Sequence, residues 1–282
     1  GLAMGAIYGL VALGFVLIYN AAQCINFSHG EFGMLAAYLM VTLSRVLRLP
    51  YIAAFALTLV LMFFFGGYMF QRFAYYPLRN ASMMSILVST LGMSLFMQNA
   101  VLVLWGPIPV NWTEPFGRAV VKLGPLSIMP QFLLILVAML VLMVIQNAFF
   151  RRTLLGKQFQ AVGQDKEAAS LMGIDTDRII MLTFGYGAMV AAVAGILVGP
   201  VFIVTPQLGR SIHLKALAAS IVGGFGSVPG AIVGGLIIGV AEVLLSSYIS
   251  SLYRDGFAFL ILMAILMFRP QGIYGERVSQ KV

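Results

Sequence analysis

The residues that could do chemistry in this chain are few, and most of them interrupt apolar runs. The segment Asn20-Ala21-Ala22-Gln23-Cys24-Ile25-Asn26-Phe27-Ser28-His29-Gly30-Glu31 sets amides, an imidazole and a carboxylate between two apolar stretches. Irregular backbone at membrane depth is tolerated only where protein or a water-filled cavity satisfies its polar groups. In transporters such breaks aim helix termini and free carbonyls at a solute, and a helix N-terminus suits a carboxylate. Asn26, Ser28, His29, Gly30 and Glu31 are therefore candidates for lining a path for a small polar molecule. A second interruption, Gly223-Gly224-Phe225-Gly226-Ser227-Val228-Pro229-Gly230, adds Gly223, Gly224 and Gly226 as candidate backbone contacts. Two breaks in roughly corresponding places hint at an internal repeat around one pathway. The alternative for the first is an interfacial loop with Ser28 capping the next helix.

Other chemistries lack their residues. His29 and His213 are the two histidines, and Cys24 is the single cysteine, so neither a metal site nor a disulfide is expected. The nearest approach to a phosphate-binding loop is Gly156-Lys157, but Gln158 follows and Arg151 stands where the upstream glycine belongs. No hydrolase triad can be assembled. No catalytic residue and no cofactor is expected, and ATP must be bound elsewhere if it is used at all. Glu242 lies in an apolar run near its end, where snorkelling to the interface fits better than a proton relay. Gln98 and Asn99 are expected to bond between helices.

The elements that would position these residues follow from composition. Of 282 residues, 61% are hydrophobic and 9% charged, against about 45–50% and about 25% in soluble domains. A water-facing globule is excluded, and the long apolar runs point to helices in a bilayer. Such runs cover Gly1–Tyr19, Gly30–Ser44 (short), Tyr51–Phe70, Met83–Trp105, Pro130–Phe150, Ile179–Ile203, Leu214–Ile249 (long, and broken by its glycines and proline) and Asp255–Phe268. The expected fold is an all-α polytopic membrane protein, one domain over 1–282, with about eight transmembrane helices and interrupted or re-entrant segments near 20–30 and 223–230. The first run carries no cleavage pattern, so no removable leader is expected.

Arg151, Arg152, Lys157, Lys166 and Arg178 form the largest basic cluster, and Arg269, Arg277 and Lys281 mark the tail; both stretches are expected to be cytoplasmic. The net charge of +8 then reflects topology, with no nucleic acid invoked. The Gly106–Met129 loop would be outside, with Trp105 and Trp112 at the interface. An odd number of crossings is expected from Arg178 to the tail, with two short helices meeting at the Gly-Pro break as a hairpin before the last span. Small residues at four-residue spacing (Gly1, Gly5, Gly9; Gly187, Ala191, Gly195, Gly199; Gly230, Gly234, with Gly235 and Gly239 beside them) predict closely packed central helices.

Within the cytoplasmic loop 151–178, Asp165 to Gly173 reads as a short helix with acidic residues at its start and a glycine stop. Eight or nine residues are too few to stand alone in water, where roughly 12–15 are marginal. Ala168, Ala169, Leu171 and Met172 offer it an apolar face for a partner's groove, or for its own bundle.

Glu167-Ala168-Ala169 followed by Gly173 resembles the coupling signature of bacterial ABC importer permeases. Together with Ile25–Glu31, Pro77-Leu78-Arg79, Ala161–Ile174, Gly223–Gly230 and Phe268-Arg269-Pro270-Gln271-Gly272, the chain is similar over essentially its whole length to the branched-chain amino acid permease family, most nearly the shorter of its two paired permeases. The resemblance implies a multi-pass permease of the bacterial inner membrane that moves a small molecule by alternating access. It also implies a second homologous permease subunit, two ABC ATPase subunits and a periplasmic substrate-binding protein as partners. Asp165, Glu167, Ala168, Ala169 and Gly173 would couple to the ATPase. Members of the family also move urea, amides or other amino acids. An ion-coupled secondary transporter, or a channel or scaffold, is the rival expectation; the first would need buried ionisable residues, chiefly Glu31 and Glu242.

Overall fold

The computed structural model describes residues 1–110, 121–123 and 126–275. Eleven α-helices follow in order among the described residues: α1 Leu2–Ala22, α2 His29–Val41, α3 Tyr51–Phe64, α4 Met83–Trp105, α5 Pro130–Arg152, α6 Leu154–Gln164, α7 Lys166–Leu171, α8 Thr176–Val198, α9 Leu208–Gly223, α10 Val228–Tyr248 and α11 Arg254–Phe268. A π turn, Thr42–Val46, prolongs α2, and a π stretch, Phe65–Tyr75, prolongs α3 toward Leu78. Seven helices, α1, α3, α4, α5, α8, α10 and α11 with the turn before it, are long and apolar enough to cross a membrane. The short helices α2 and α9 are added to these, so the expected eight falls between the full spans and the total.

Helices α1 and α8 form the centre and are buried along nearly their whole length, while α3, α4, α5 and α11 turn mostly exposed apolar surface outward. In a bilayer that surface meets lipid tails, so the distinction between inside and outside is one of packing rather than polarity. The glycine stripes do the packing. A Cβ on Gly5 would lie 2.7 Å from the Leu236 Cα, and one on Gly9 would lie 3.4 Å from the Ile232 Cα. Helix α10 thus uses Gly235 and Gly239 against α1, and Gly230 and Gly234 against α9. Gly187 of α8 likewise approaches the Gly14 carbonyl of α1.

The ends of the helices sort onto two faces. On one, Asn20 Nδ2 donates to the Gly226 carbonyl at 2.9 Å, and Gly163 of α6 abuts Asn20. There too the Ile273 and Tyr274 amides donate to the Val222 and Gly223 carbonyls at 3.0 and 2.8 Å. The basic loop and the start of the tail therefore share a face. On the other, Trp105 Nε1 donates to Thr42 Oγ1 at 2.8 Å, Tyr38 Oη to the Val204 carbonyl at 3.4 Å, and Val110 pairs antiparallel with Val204. A small hairpin of β1 Val121–Leu123 and β2 Leu126–Ile128 belongs to the same connection as Val110. Trp112, Arg277 and Lys281 lie outside the described residues.

The hairpin expected at the Gly-Pro break is present as α9 and α10, with Gly224 and Gly226 at φ +110° and +90°, where a Cβ would be strained. Ser227 caps α10 by accepting from the Gly230 amide at 3.2 Å. From α8 through α11 the chain makes four passes. The expected odd number is a miscount, since a chain that returns to its starting face crosses an even number of times.

Candidate functional site

The first interruption turns back into the bundle. After α1 ends, Gln23 adopts a left-handed conformation (φ 52°), and the Asn26 side chain accepts from the Ser28 amide at 3.0 Å in a local turn. Helix α2 then begins at His29, whose ring packs against Gly14. Gly14 and Gly187 each lie near the middle of their helices, so α2 starts at mid-depth and runs to the far face, where Thr42 meets Trp105. Helix α9 does the reverse: it starts where Gly209 touches Gly30 and ends at the loop face. Two half-length helices therefore pass each other by their N-terminal turns inside the bundle. Partial positive charge from both converges there.

Glu31 sits at that crossing, 1% exposed. Its Oε1 accepts from Gln98 Nε2 at 2.7 Å and Ser94 Oγ at 3.1 Å, both from α4, and its Oε2 has no hydrogen-bond partner among the described residues. Ser28 does not cap α2; its hydroxyl donates to the Thr90 carbonyl at 2.5 Å. The Phe27 amide donates to Thr90 Oγ1 at 3.3 Å. His29 and His213 are both buried; the His29 ring faces the Val11 backbone, and neither ring nitrogen of His213 has a hydrogen-bond partner among the described residues. Phe15 stands edge-on to both, with ring centroids 6.4 and 5.7 Å away, and Phe27 lies 5.9 Å from His213. The crossing is thus a closely packed, buried cluster of polar side chains among aromatic rings.

Asn26, Ser28, His29, Gly30 and Glu31 are brought together, but Gly223, Gly224 and Gly226 are not among them. Those glycines lie at the loop face, where Gly224 packs against Gly272, Tyr274 and Gly275, Gly223 against Gly230, and Gly226 against the Asn20 side chain. The two breaks differ in depth because the first folds inward and the second closes a hairpin under the tail. Sequence reasoning missed Thr90 and His213, and assigned Gln98 only to interhelical bonding. Spacing carries a partial signal, since Thr90, Ser94 and Gln98 recur every four residues on one face of α4.

Glu242 departs from its expected place. It is fully buried and does not snorkel. Its Oε1 receives Lys215 Nζ at 2.8 Å and Arg254 Nε at 2.6 Å, and Lys215 also meets Asp255 at 2.7 Å. A buried carboxylate is tolerable when paired in this way, and the lysine one helix away is what the position within the run could not reveal.

The short loop helix forms as expected and is smaller, Lys166–Leu171, following the amphipathic α6. Asp165 caps it, accepting from the Glu167 and Ala168 amides at 2.9 and 3.0 Å, and Gly173 ends it at φ +81°. The four apolar residues divide: Ala169 is buried against the chain's own bundle, whereas Ala168 is exposed and Leu171 and Met172 are 88% and 83% exposed. A six-residue helix holds because its cap, its stop and one buried alanine anchor it, leaving the opposite face open.

Seven spans, two half-helices crossing N-terminus to N-terminus at mid-depth, and a helical loop presented on one face define a polytopic membrane transport component. Residues 1–266 match the family model described as the permease component of the branched-chain amino acid transport system. The chain belongs to that family. It is 36% identical to the high-affinity branched-chain amino acid transport system permease protein LivH of Escherichia coli strain K12, over 100% of this chain and 96% of that one. It is also 36% identical to the corresponding BraD of Pseudomonas aeruginosa, with the same coverage. Among solved structures, PsaBC from Streptococcus pneumoniae in complex with Fab aligns over 97% of this chain and 92% of that chain, with a TM-score of 0.52 and 13% identity, and so shares its fold. This chain is a multi-pass inner-membrane permease component of an ATP-driven importer.

Proposed function

We propose that this permease carries branched-chain amino acids inward by alternating access. It would be paired with a second homologous permease, driven by two ABC ATPase subunits docked on α7 and supplied by a periplasmic binding protein. The observation that carries the coupling role is the division of α7: one buried alanine seats it on the bundle while Glu167, Ala168, Leu171 and Met172 face outward. Exposed apolar residues on so short a helix suit a partner's groove. Asp165, Glu167, Ala168, Ala169 and Gly173 act together as the cap, face and stop of that contact. The one domain, 1–282, would contain this loop as its coupling element.

The crossing of α2 and α9 supports an amino acid as cargo. Glu31 Oε2 would accept from an ammonium group, the convergent helix N-termini would hold a carboxylate, and Phe15, Phe27 and Phe32 would cover an aliphatic side chain. In the closed conformation these groups are buried, so the reading requires α2, α4 and α9 to separate during the cycle. The glycines at 223, 224 and 226 would serve as the pivot of the α9–α10 hairpin at the loop face. Ion coupling is disfavoured, because the family and the relatives that this chain matches are permease components of branched-chain amino acid transport systems.

The test is to replace Glu167 with Ala and Gly173 with Val together. ATPase assembly on the membrane and binding-protein-dependent uptake of labelled leucine, isoleucine and valine are then measured. Loss of both is expected; normal uptake with both replaced would overturn the coupling role. Wild-type uptake of urea or short amides, without any of the three amino acids, would overturn the cargo.

A further inference from the structure

The loop helix and the buried crossing are far apart in the chain and on different levels of the bundle, yet one side chain touches the structural surroundings of both. Tyr75, at the end of the π stretch after α3, is 2% exposed. Its hydroxyl donates to the Ala22 carbonyl at 3.3 Å, and it accepts from Lys166 Nζ at 3.1 Å. Ala22 is the last residue of α1, and its carbonyl is one of the terminal acceptors that no helix amide reaches. The next residue is the left-handed Gln23, from which the chain turns inward to Asn26, His29 and Glu31. Lys166 is the first residue of α7. Among the described residues, the Lys166–Tyr75 bond is the side-chain hydrogen bond that ties α7 to the bundle.

The ring of Tyr75 is fixed independently of its hydroxyl. It packs on Phe184 of α8 with centroids 5.3 Å apart, and Lys166 Nζ lies 5.8 Å from its centre. Four residues on, Arg79 pairs with Asp177 in the first turn of α8 and lies over the Tyr76 ring at 4.3 Å. The end of α3 is thereby pinned to α8, and the Pro77-Leu78-Arg79 motif has a place in holding Tyr75. Helix α6 meets Asn20 through Gly163.

We propose that Tyr75 is a positioning residue that transmits movement of α7 to the α1–α2 break, through Lys166 on one side and the Ala22 carbonyl on the other. The proposal rests on the coupling role given to α7 above. Two hydrogen bonds in series through one buried phenol pull on the last turn of α1, and the residues next in line are those that shape the crossing. A structural anchor would serve the folded state alone, whereas a transmitting one sets how much solute moves for each ATP consumed.

The experiment uses the complete transporter, both permeases with ATPases and binding protein, in proteoliposomes. ATP hydrolysis and uptake of a labelled branched-chain amino acid that the wild type carries are measured on the same samples. Tyr75→Phe keeps the ring and deletes the hydroxyl. Hydrolysis is expected within about twofold of wild type and uptake about tenfold lower, so ATP used per solute rises about tenfold. Lys166→Met should act in the same direction, the double variant should be no worse than the poorer single one, and Lys166→Arg, which retains a donor, should restore uptake. If Tyr75→Phe assembles poorly, Lys166→Met and Lys166→Arg on the half-buried loop give the same readout. A wild-type ratio in Tyr75→Phe, or hydrolysis and uptake falling in proportion, overturns the proposal. If the Glu167 and Gly173 double variant loses assembly while Tyr75→Phe keeps the wild-type ratio, the relay alone fails. If that double variant is normal, the coupling role itself fails.

Discussion

Among the described residues two glutamates, Glu31 and Glu242, are buried, and their neighbourhoods differ. Glu242 sends one oxygen to Lys215 and Arg254, so its charge is compensated by cations held in the same network with Asp255. Glu31 sends one oxygen to the neutral donors Ser94 and Gln98, and the positive charge that acts on it, Arg210, does so without a direct ion pair. A matched pair in a low-dielectric interior is costly to break and serves the fold. Glu31, beside two helix N-termini, is held instead by neutral donors and a more distant guanidinium. Burial alone therefore does not say how a carboxylate is compensated; its partners do.

The contrast can be broken at several places. The largest effect is expected at Lys215→Met, which leaves Glu242 with a single cation and should destabilise the detergent-purified permease by about 3 kcal/mol. A lowered thermal midpoint would report it. Replacing Lys215 and Glu242 together with Met should recover most of that loss, because two apolar side chains need no matching charge. If Lys215→Met unfolds like the wild type, the network is not structural.

Glu31→Gln should do the opposite. With nearly the same shape and its donors still present, stability should shift by no more than about 1 kcal/mol, while uptake falls up to about 100-fold for want of a charged acceptor. Unchanged uptake would remove Glu31 from the pathway. Gln98→Leu tests the same site one step out. It deletes the closer of the two donors to Glu31, and uptake should fall about fivefold to tenfold, with ATPase assembly intact. The smallest effect is expected at Asp165→Ala, far from both glutamates. Loss of the cap should cost α7 about 1 kcal/mol, read as a few-fold drop in uptake with no change at either buried site.

Much of the fold was legible because lipid-facing helices advertise themselves by length and apolarity, whatever they pack against. The glycine stripes at four-residue spacing also read directly, since a missing Cβ has one main use between membrane helices. Asp165 and Gly173 announced their helix ends through local backbone chemistry. The site was legible only in part. Asn26 to Glu31 stood out as polar residues in an apolar setting, but their depth depends on a chain reversal after Gln23 that the neighbouring helices impose. Thr90 and Ser94 show only a shared helix face with Gln98, His213 carries no local sign of the crossing, and Lys215 none of its tie to Glu242.

By itself the sequence determined that the chain lives in a bilayer, roughly where its long apolar helices lie, which loop is basic, and that a capped helix waits on that loop. Those properties are local: a helix needs only its own residues to be apolar, capped or broken. Tertiary structure alone decided that α2 and α9 meet by their N-termini, that Glu31 is held by neutral donors while Glu242 is ion-paired with two cations, and that Tyr75 joins the loop helix to the break. Each of those depends on distances between segments far apart in the chain, and only the packed bundle sets them.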